Sequence, residues 1–278
     1  MSVINTNVNA LVAQNAATVN SRSMTKAMEQ LSTGKRINGA ADDAAGLAIS
    51  NKMTSQIRGL NQAVRNANDG ISMIQVAEGA TIEVTNMLQR MRELAVQGIN
   101  DTNTALDRTS LKTEYQQLGK EIQRISANTE WNTTKVANAS ANSAAFQVGA
   151  NSSQTITVAF SDITGLSGMT AVISAADAAS AGSVADFAGT TLSNLDTAIT
   201  AISSYRSTLG ASINRLNYAA DNLQNVSTNT SESRSRILDT DYAQATTELA
   251  RTQIIQQAAT AMLAQANQQP QSVLSLLR

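Results

Sequence analysis

Apolar residues recur at spacings of three and four along much of the chain, which is the heptad pattern of a coiled-coil seam. The pattern is clearest in the residues Ile57, Leu60, Val64, Ala67, Ile71 and Ile74. Asp42 and Asp43 precede this run and are well placed to cap a helix and to complement its dipole. The spacing therefore predicts one continuous helix over residues 43–99, roughly 85 Å long at 1.5 Å per residue.

Both ends of the chain carry weaker amphipathic helical patterns. Neither seam offers enough apolar surface to be stable as an isolated helix, so each end needs a partner. The simplest partner is the other end of the same chain, followed by the same pair in neighbouring copies. The periodicity alone also allows an ordinary intramolecular bundle. The apolar positions that we assign to helix assembly are Ile4, Val8, Leu11, Leu31, Leu249, Leu263, Val273 and Leu277.

The middle of the chain differs from its ends. A shorter helix is predicted to end near Asn128. Alternating apolar and polar residues around a Gly/Asn/Ser turn then predict a β-hairpin over residues 144–160. Residues 161–190 are expected to be loop with a short helical turn. Helix resumes at Leu192 and is expected to break at the polar segment Ser231–Ser235. We therefore predict a mainly α fold, an elongated helical bundle with a small β-hairpin in its middle.

Composition excludes most enzyme chemistry. The 278 residues include no cysteine and no histidine, and only 3% are aromatic. Without histidine the chain lacks the commonest general base, and without both residue types it lacks the usual ligands of transition metals. A Ser-His-Asp triad and a thiol nucleophile are both impossible. We therefore expect a structural protein rather than an enzyme, with no cofactor and no metal.

No apolar run is long enough to predict a membrane-spanning helix. The first residues lack the basic start and apolar core of a cleaved secretory signal. The expected alternatives are a cytoplasmic protein, or one that leaves the cell by a route that reads no cleaved signal.

Seven segments of the chain carry motifs in a characteristic order: residues 4–14, 31–38, 40–49, 78–80, 88–97, 107–108 and 265–278. In this order they resemble the motifs of bacterial flagellins. The resemblance covers roughly residues 1–150 and 190–278 and is specific because several of the motifs are long. One departure is Trp131-Asn132-Thr133, where the family usually has Phe-Asn-Gly.

This resemblance implies a subunit that self-assembles into the flagellar filament for motility. It implies that residues 1–40 and 235–278 form a terminal coiled-coil domain lining the inner tube. Residues 41–234 would form a rod domain with the hairpin near 144–160, and no large outer domain. The protein would be exported through the flagellar type III channel and be extracellular.

The resemblance also implies partners. These are further copies of the chain, a flagellar export chaperone, and cap and hook-associated proteins, with no nucleic acid and no membrane insertion. Flagellins are ligands of Toll-like receptor 5, and the family's receptor motif maps onto Gln89, Arg90, Leu94 and Glu114. The alternatives left open are a hook–filament junction protein, which shares the end motifs, and a surface-displayed flagellin-like adhesin.

Overall fold

The computed structural model describes residues 6–138, 143–177 and 189–275. Within these ranges the mainly α fold and the hairpin in the middle of the chain are confirmed. The helices are α1 (Val8–Thr33), α2 (Ala44–Ile99), α3 (Ala105–Asn128), α4 (Met169–Asp177), α5 (Gly189–Leu238) and α6 (Tyr242–Ser275). The strands are β1 (Glu130–Trp131), β2 (Thr134–Lys135), β3 (Ala144–Gln147) and β4 (Thr155–Val158).

The long helix predicted from the heptad spacing is confirmed. Helix α2 has 56 residues without a break, which corresponds to about 84 Å. Helix α3 then begins with a capping box, in which the Thr104 hydroxyl accepts from the Asp107 amide and the Asp107 carboxylate accepts from the Thr104 amide. It ends at Asn128, where the sequence predicted its end.

The chain divides into two compact units by its internal contacts. The first unit comprises Met1–Gln56 and Thr228–Arg278, and the second comprises Ile57–Ser227. The boundary falls inside helices α2 and α5, so each of these helices contributes to both units.

An antiparallel seam between α2 and α5 forms the core of the second unit. Leu60 packs in one cluster with Leu223, and Ile74 packs in the next with Leu209. Leu88 belongs to a third cluster with residues from the start of α5. Residue numbers therefore rise along α2 while they fall along α5. The heptad positions of the sequence are the positions that this seam buries.

The predicted β-hairpin packs against α2 in the second unit. Strand β3 pairs antiparallel with β4, and Phe146 lies opposite Ile156. A Cβ added at Gly70 would lie 3.0 Å from the ring of Phe146, and the Asn66 side-chain amide donates to the Gln147 carbonyl at 3.1 Å. The missing side chain at Gly70 therefore lets the hairpin lie directly on the helix.

The predicted polar break at Ser231–Ser235 is wrong. Helix α5 continues through this segment to Leu238. Polar side chains do not break a helix when they face solvent, and Arg236 pairs with Glu232 one turn away at 2.6 Å. The break occurs instead just before α6, where the Asp241 carboxylate accepts from the Ala243 amide at 2.9 Å.

Two local elements exceed what the sequence predicted. Helix α4 has nine residues rather than one helical turn. It packs closely on α3, because a Cβ added at Gly119 would lie 2.6 Å from the Cβ of Ala176.

A second hairpin joins β1 to β2 through a two-residue turn at Asn132 and Thr133, whose φ angles are 44° and 65°. Two positive φ angles are characteristic of a type I′ turn.

Replacing Thr133 with glycine is expected to stabilise the second unit by about 0.5–1 kcal/mol. A β-branched residue at positive φ is strained, and glycine removes that strain while adding some chain entropy to the unfolded state. Chemical denaturation measures the difference. The matched control is Thr134→Gly, one residue further along in strand β2, which is expected to destabilise. Equal destabilisation by both substitutions would contradict the turn strain.

Candidate assembly surface

The two terminal helices of the first unit pair with each other. The Asn7 side-chain amide donates to the Ala266 carbonyl at 2.8 Å. The Asn20 side-chain amide donates to the Thr252 carbonyl at 2.7 Å. The donor further along α1 bonds to the acceptor nearer the start of α6, so the two helices run antiparallel. The sequence left open whether the two chain ends pair with each other, with neighbouring copies or within an ordinary bundle. In the structure they pair with each other within one chain.

Small side chains form the buried seam of this pair. Ala27 and Ala245 are 3% and 5% exposed, and Thr252 is 2% exposed. Small residues allow two helices to approach closely but bury little apolar area each. The pair therefore gains only modest stability from its own seam.

Most of the large apolar side chains of α1 and α6 face outward instead. Val12, Val19, Ile254 and Met262 are each more than 60% exposed. Val12 and Met262 also line a groove of about 570 Å³ along the pair. Exposed apolar side chains grouped in this way mark an interaction site. Further exposed apolar side chains among the described residues of the pair are Val8, Leu11, Met28, Tyr242 and Ile255.

The residues assigned to assembly from the sequence are divided between these two environments. Val8 and Leu11 are exposed, at 59% and 52%. Leu31, Leu249 and Leu263 are half-buried. Ile4 and Leu277 lie outside the described residues, and so does the side chain of Val273.

Backbone hydrogen bonds join the segment after α1 to the segment between α5 and α6. The Arg36 amide donates to the Leu238 carbonyl at 2.7 Å, and the Thr240 amide donates to the Gly34 carbonyl at 3.0 Å. The Arg36 guanidinium also donates to the Ile237 carbonyl at 2.7 Å. These bonds hold the two interhelical segments of the first unit together.

Asp42 organises the loop between α1 and α2. Its carboxylate accepts from the Asn38 and Gly39 amides, each at 3.1 Å, and pairs with Lys26 at 2.9 Å. The hydrogen bond from Lys26, followed by those from the two amides, lowers the pKa of Asp42 to about 2. The charged form of this carboxylate therefore ties α1 to the start of α2.

Asp42→Asn is expected to remove a contribution to stability that depends on pH. The pKa of Asp42 is lower in the folded chain than its ordinary value of 3.8, so the unfolded chain binds the proton more readily. The contribution is therefore fully present above about pH 4 and is lost as the pH falls towards 2. Denaturation of wild type and variant at pH 6, 4 and 2 should show a difference that shrinks with acidity. A difference independent of pH would contradict this role.

A second candidate surface lies on α2 and α3 in the second unit. Gln89, Arg90 and Glu114 are exposed. The Arg90 guanidinium donates to Glu114 at 2.8 Å and to Glu93 at 3.0 Å, and these hydrogen bonds raise the pKa of Arg90, with Glu114 the larger cause. The structure brings these polar residues together and holds the arginine in one orientation.

Leu94 lies apart from that surface. It is completely buried, in a cluster with Tyr115 and Ile122 of α3 and Leu195 of α5. Its side chain supports the helix that carries Gln89 and Arg90 and presents no area of its own to a partner.

Asn20, a polar residue of the terminal seam, was not identified from the sequence. Asn20 is 8% exposed, yet the apolar spacing of α1 draws attention only to larger residues. Asn20 lies seven residues before Ala27, and this spacing places both residues on one helix face. The spacing could therefore have indicated that Asn20 belongs to the seam.

The described residues hold no arrangement suited to metal chemistry or to a bilayer. Within residues 6–138, 143–177 and 189–275 no three acidic side chains come together as a set of metal ligands. In the same ranges no helix is apolar over a length that would cross a membrane.

Comparison with known proteins identifies the family. Residues 4–142 match the model of the bacterial flagellin N-terminal helical region, and residues 192–277 match that of the C-terminal helical region. A flagellin of Halalkalibacterium halodurans is 48% identical over 276 residues, covering 99% of this chain and 100% of the relative.

Two further relatives extend this finding. Flagellin of Bacillus subtilis is 42% identical over 302 residues, and the match covers 99% of both chains. Flagellin of Xenorhabdus nematophila is 43% identical over 311 residues, covering all of this chain and 99% of the relative. With both terminal helical regions present and matches that span whole relatives, the chain belongs to the bacterial flagellin family, whose members are the structural subunits of the flagellar filament.

Proposed function

We propose that this chain polymerises through the outward faces of its paired terminal helices to build the filament. The observation that supports this most is the exposed apolar surface of α1 and α6. Burying one Val, Ile or Met side chain stabilises an assembly by about 1.5–3 kcal/mol. Four such side chains are more than 60% exposed on this pair, so contact with neighbouring copies offers a large gain.

The domain roles belong to the same proposal. Residues 1–40 and 235–278 would line the inner tube, and residues 41–234 would form the rod. These boundaries lie close to the segments between α1 and α2 and between α5 and α6. The chain would be secreted before it assembles, assisted by an export chaperone and by cap and hook-associated proteins. It would act as structure and carry no catalytic activity.

Seeded growth tests this function. Purified full-length chain is mixed with short filament seeds, and length is followed by electron microscopy. We expect continued elongation by the full chain and none by variants that lack residues 1–20 or 265–278. A junction protein would instead add to seed ends and stop. An adhesin would bind glycan as a monomer, with intact or truncated ends alike. Normal filaments from a truncated chain would overturn the proposal.

We further propose that the monomer is recognised by Toll-like receptor 5 through Gln89, Arg90 and Glu114. Arginine is enriched among residues that dominate binding energy, and here two carboxylates hold Arg90 in a fixed orientation. Leu94 would contribute indirectly by supporting α2. The proposal therefore concerns the polar exposed residues.

Arg90→Glu is expected to weaken receptor binding by at least about tenfold, since it removes an arginine contact and reverses its charge. The matched control is Arg124→Glu, which breaks a similar exposed pair with Glu121 on α3. The double variant Arg90→Glu/Glu114→Arg restores an ion pair but not the original surface, and should stay weak. Recovery of affinity in the double variant would show that the pair matters only for folding.

A further inference from the structure

Asn20 is an unusual residue in the seam between α1 and α6. Its side chain is 8% exposed, and other buried residues of the pair include Ala27, Ala245 and Thr252. An amide has two N–H donors and a carbonyl acceptor, all of which need partners when water is excluded. A helix that packs against Asn20 must therefore place hydrogen-bonding groups opposite its amide.

Helix α6 supplies acceptors for the N–H donors of Asn20 at one place. The Asn20 amide donates to the Thr252 carbonyl at 2.7 Å and to the Gln256 side-chain oxygen at 3.2 Å. The Thr252 hydroxyl donates along its own helix to the Glu248 carbonyl at 2.8 Å. Thr252 is small and its hydroxyl is turned away, so its carbonyl stays within reach of α1.

A second amide makes a similar contact near the start of α1. The Asn7 side chain accepts from the Ala10 amide at 3.1 Å and so caps the helix. The same side chain donates to the Ala266 carbonyl at 2.8 Å. The acceptor again belongs to a small residue. Both contacts hold in the same antiparallel register, so a shift of one helix along the other would disturb both.

We propose that Asn20 specifies which helix α1 pairs with. The outward faces of α1 and α6 both carry exposed apolar side chains, and apolar contact alone does not distinguish α6 of the same chain from another copy of α1. Pairing with α6 in the observed register satisfies the buried amide, whereas a mispaired helix leaves it without the Gln256 acceptor. A single buried asparagine is known to select partner and register in coiled coils at a cost in stability.

This inference rests on the proposed function, because correct pairing within each chain is what keeps the outward faces available to neighbours. It adds that assembly depends on a polar residue which opposes indiscriminate association. The partner that Asn20 discriminates against is a terminal helix from a second copy of this chain.

Disulfide trapping tests the proposal. The chain has no cysteine, so any disulfide that forms must join the introduced cysteines. Ala13 and Ala259 line the same groove between the helices, and Ala13→Cys/Ala259→Cys is expected to give mainly an intrachain disulfide on oxidation. Adding Asn20→Leu should lower the ratio of intrachain to interchain product by about tenfold. The ratio is read by gel mobility, on seeded filaments and on unseeded protein.

Controls separate specificity from folding. Asn15→Leu adds the same side chain to an exposed position of α1 and should leave the ratio unchanged. Asn20→Val repeats the test with a smaller side chain, in case leucine overpacks the seam. An unchanged ratio in both Asn20 variants, or an equal fall in Asn15→Leu, would overturn the proposal. Failure of the full chain to elongate seeds would instead count against the proposed function, since the ratio in unseeded protein still reports on pairing.

Discussion

Replacing Val12 with aspartate is expected to raise the critical concentration for polymerisation more than about 100-fold. Val12 is 63% exposed in the single chain, so the substitution should leave the monomer intact. In the filament this position would be covered by a neighbour, and burying an unpaired carboxylate costs several kcal/mol. A 100-fold change corresponds to only about 2.8 kcal/mol. Sedimentation of polymer at a series of concentrations measures the effect.

Two companion variants sharpen this experiment. Val12→Ile keeps the apolar surface and is expected to polymerise like wild type. Met262→Asp places the same charge on α6, where the side chain is 64% exposed, and should reproduce the loss. Unfolding of each monomer, followed by circular dichroism, controls for damage to the fold. Wild-type polymerisation by both aspartate variants would show that this face is not an assembly surface.

Leu94→Ala is expected to destabilise the second unit by about 2–5 kcal/mol, the usual cost of a buried Leu-to-Ala cavity. Leu94 is 0% exposed and lies where α2, α3 and α5 meet. Chemical denaturation gives the free energy of unfolding. If Leu94 only supports the surface near Arg90, receptor binding should fall in proportion to the folded fraction and recover under conditions that stabilise the fold.

Val96→Ala is the matched control for this substitution. Val96 lies two residues further along α2 and is 50% exposed, so its truncation should change stability by less than about 0.5 kcal/mol. Loss of receptor binding by fully folded Leu94→Ala would mean that the leucine becomes a direct contact through a rearrangement of α2.

The long helices were predictable because their seams are apolar over many turns. The spacing from Ile57 to Ile74 indicated α2, and the end predicted near Asn128 is where α3 ends. The hairpin was predictable because Ile156 and Val158 alternate with threonine, and the structure buries that face. In each case one local pattern and the tertiary packing favour the same element.

The failures have a common physical cause, which is that local polarity says little about backbone conformation. Ser231–Ser235 is polar yet helical: Glu232 pairs with Arg236 within α5, and the Arg234 guanidinium donates to the Thr54 hydroxyl on α2. The turn at Thr133 holds a β-branched residue at positive φ, which no propensity favours. Helix α4 is stabilised by its contact with Gly119 on α3, and a single sequence does not reveal that contact.

The candidate surfaces were predictable in part. Apolar spacing identified Val8 and Leu11, which are exposed, but it did not separate outward positions from the seam. The seam itself also depends on Ala27 and Asn20, a small and a polar residue that a search for large apolar side chains passes over. Burial of Leu94 could not be read from its motif, because neighbouring positions of one helix face opposite environments.

High-resolution electron microscopy of filaments grown from this chain tests the central claim most directly. We expect α1 and α6 to remain an antiparallel pair within each subunit, with the Asn20 amide on the Thr252 carbonyl. We also expect Val12, Val19, Ile254 and Met262 to be buried against neighbouring copies. Filaments in which these four side chains stay exposed to solvent, or in which α1 pairs with a helix of another subunit, would contradict the claim.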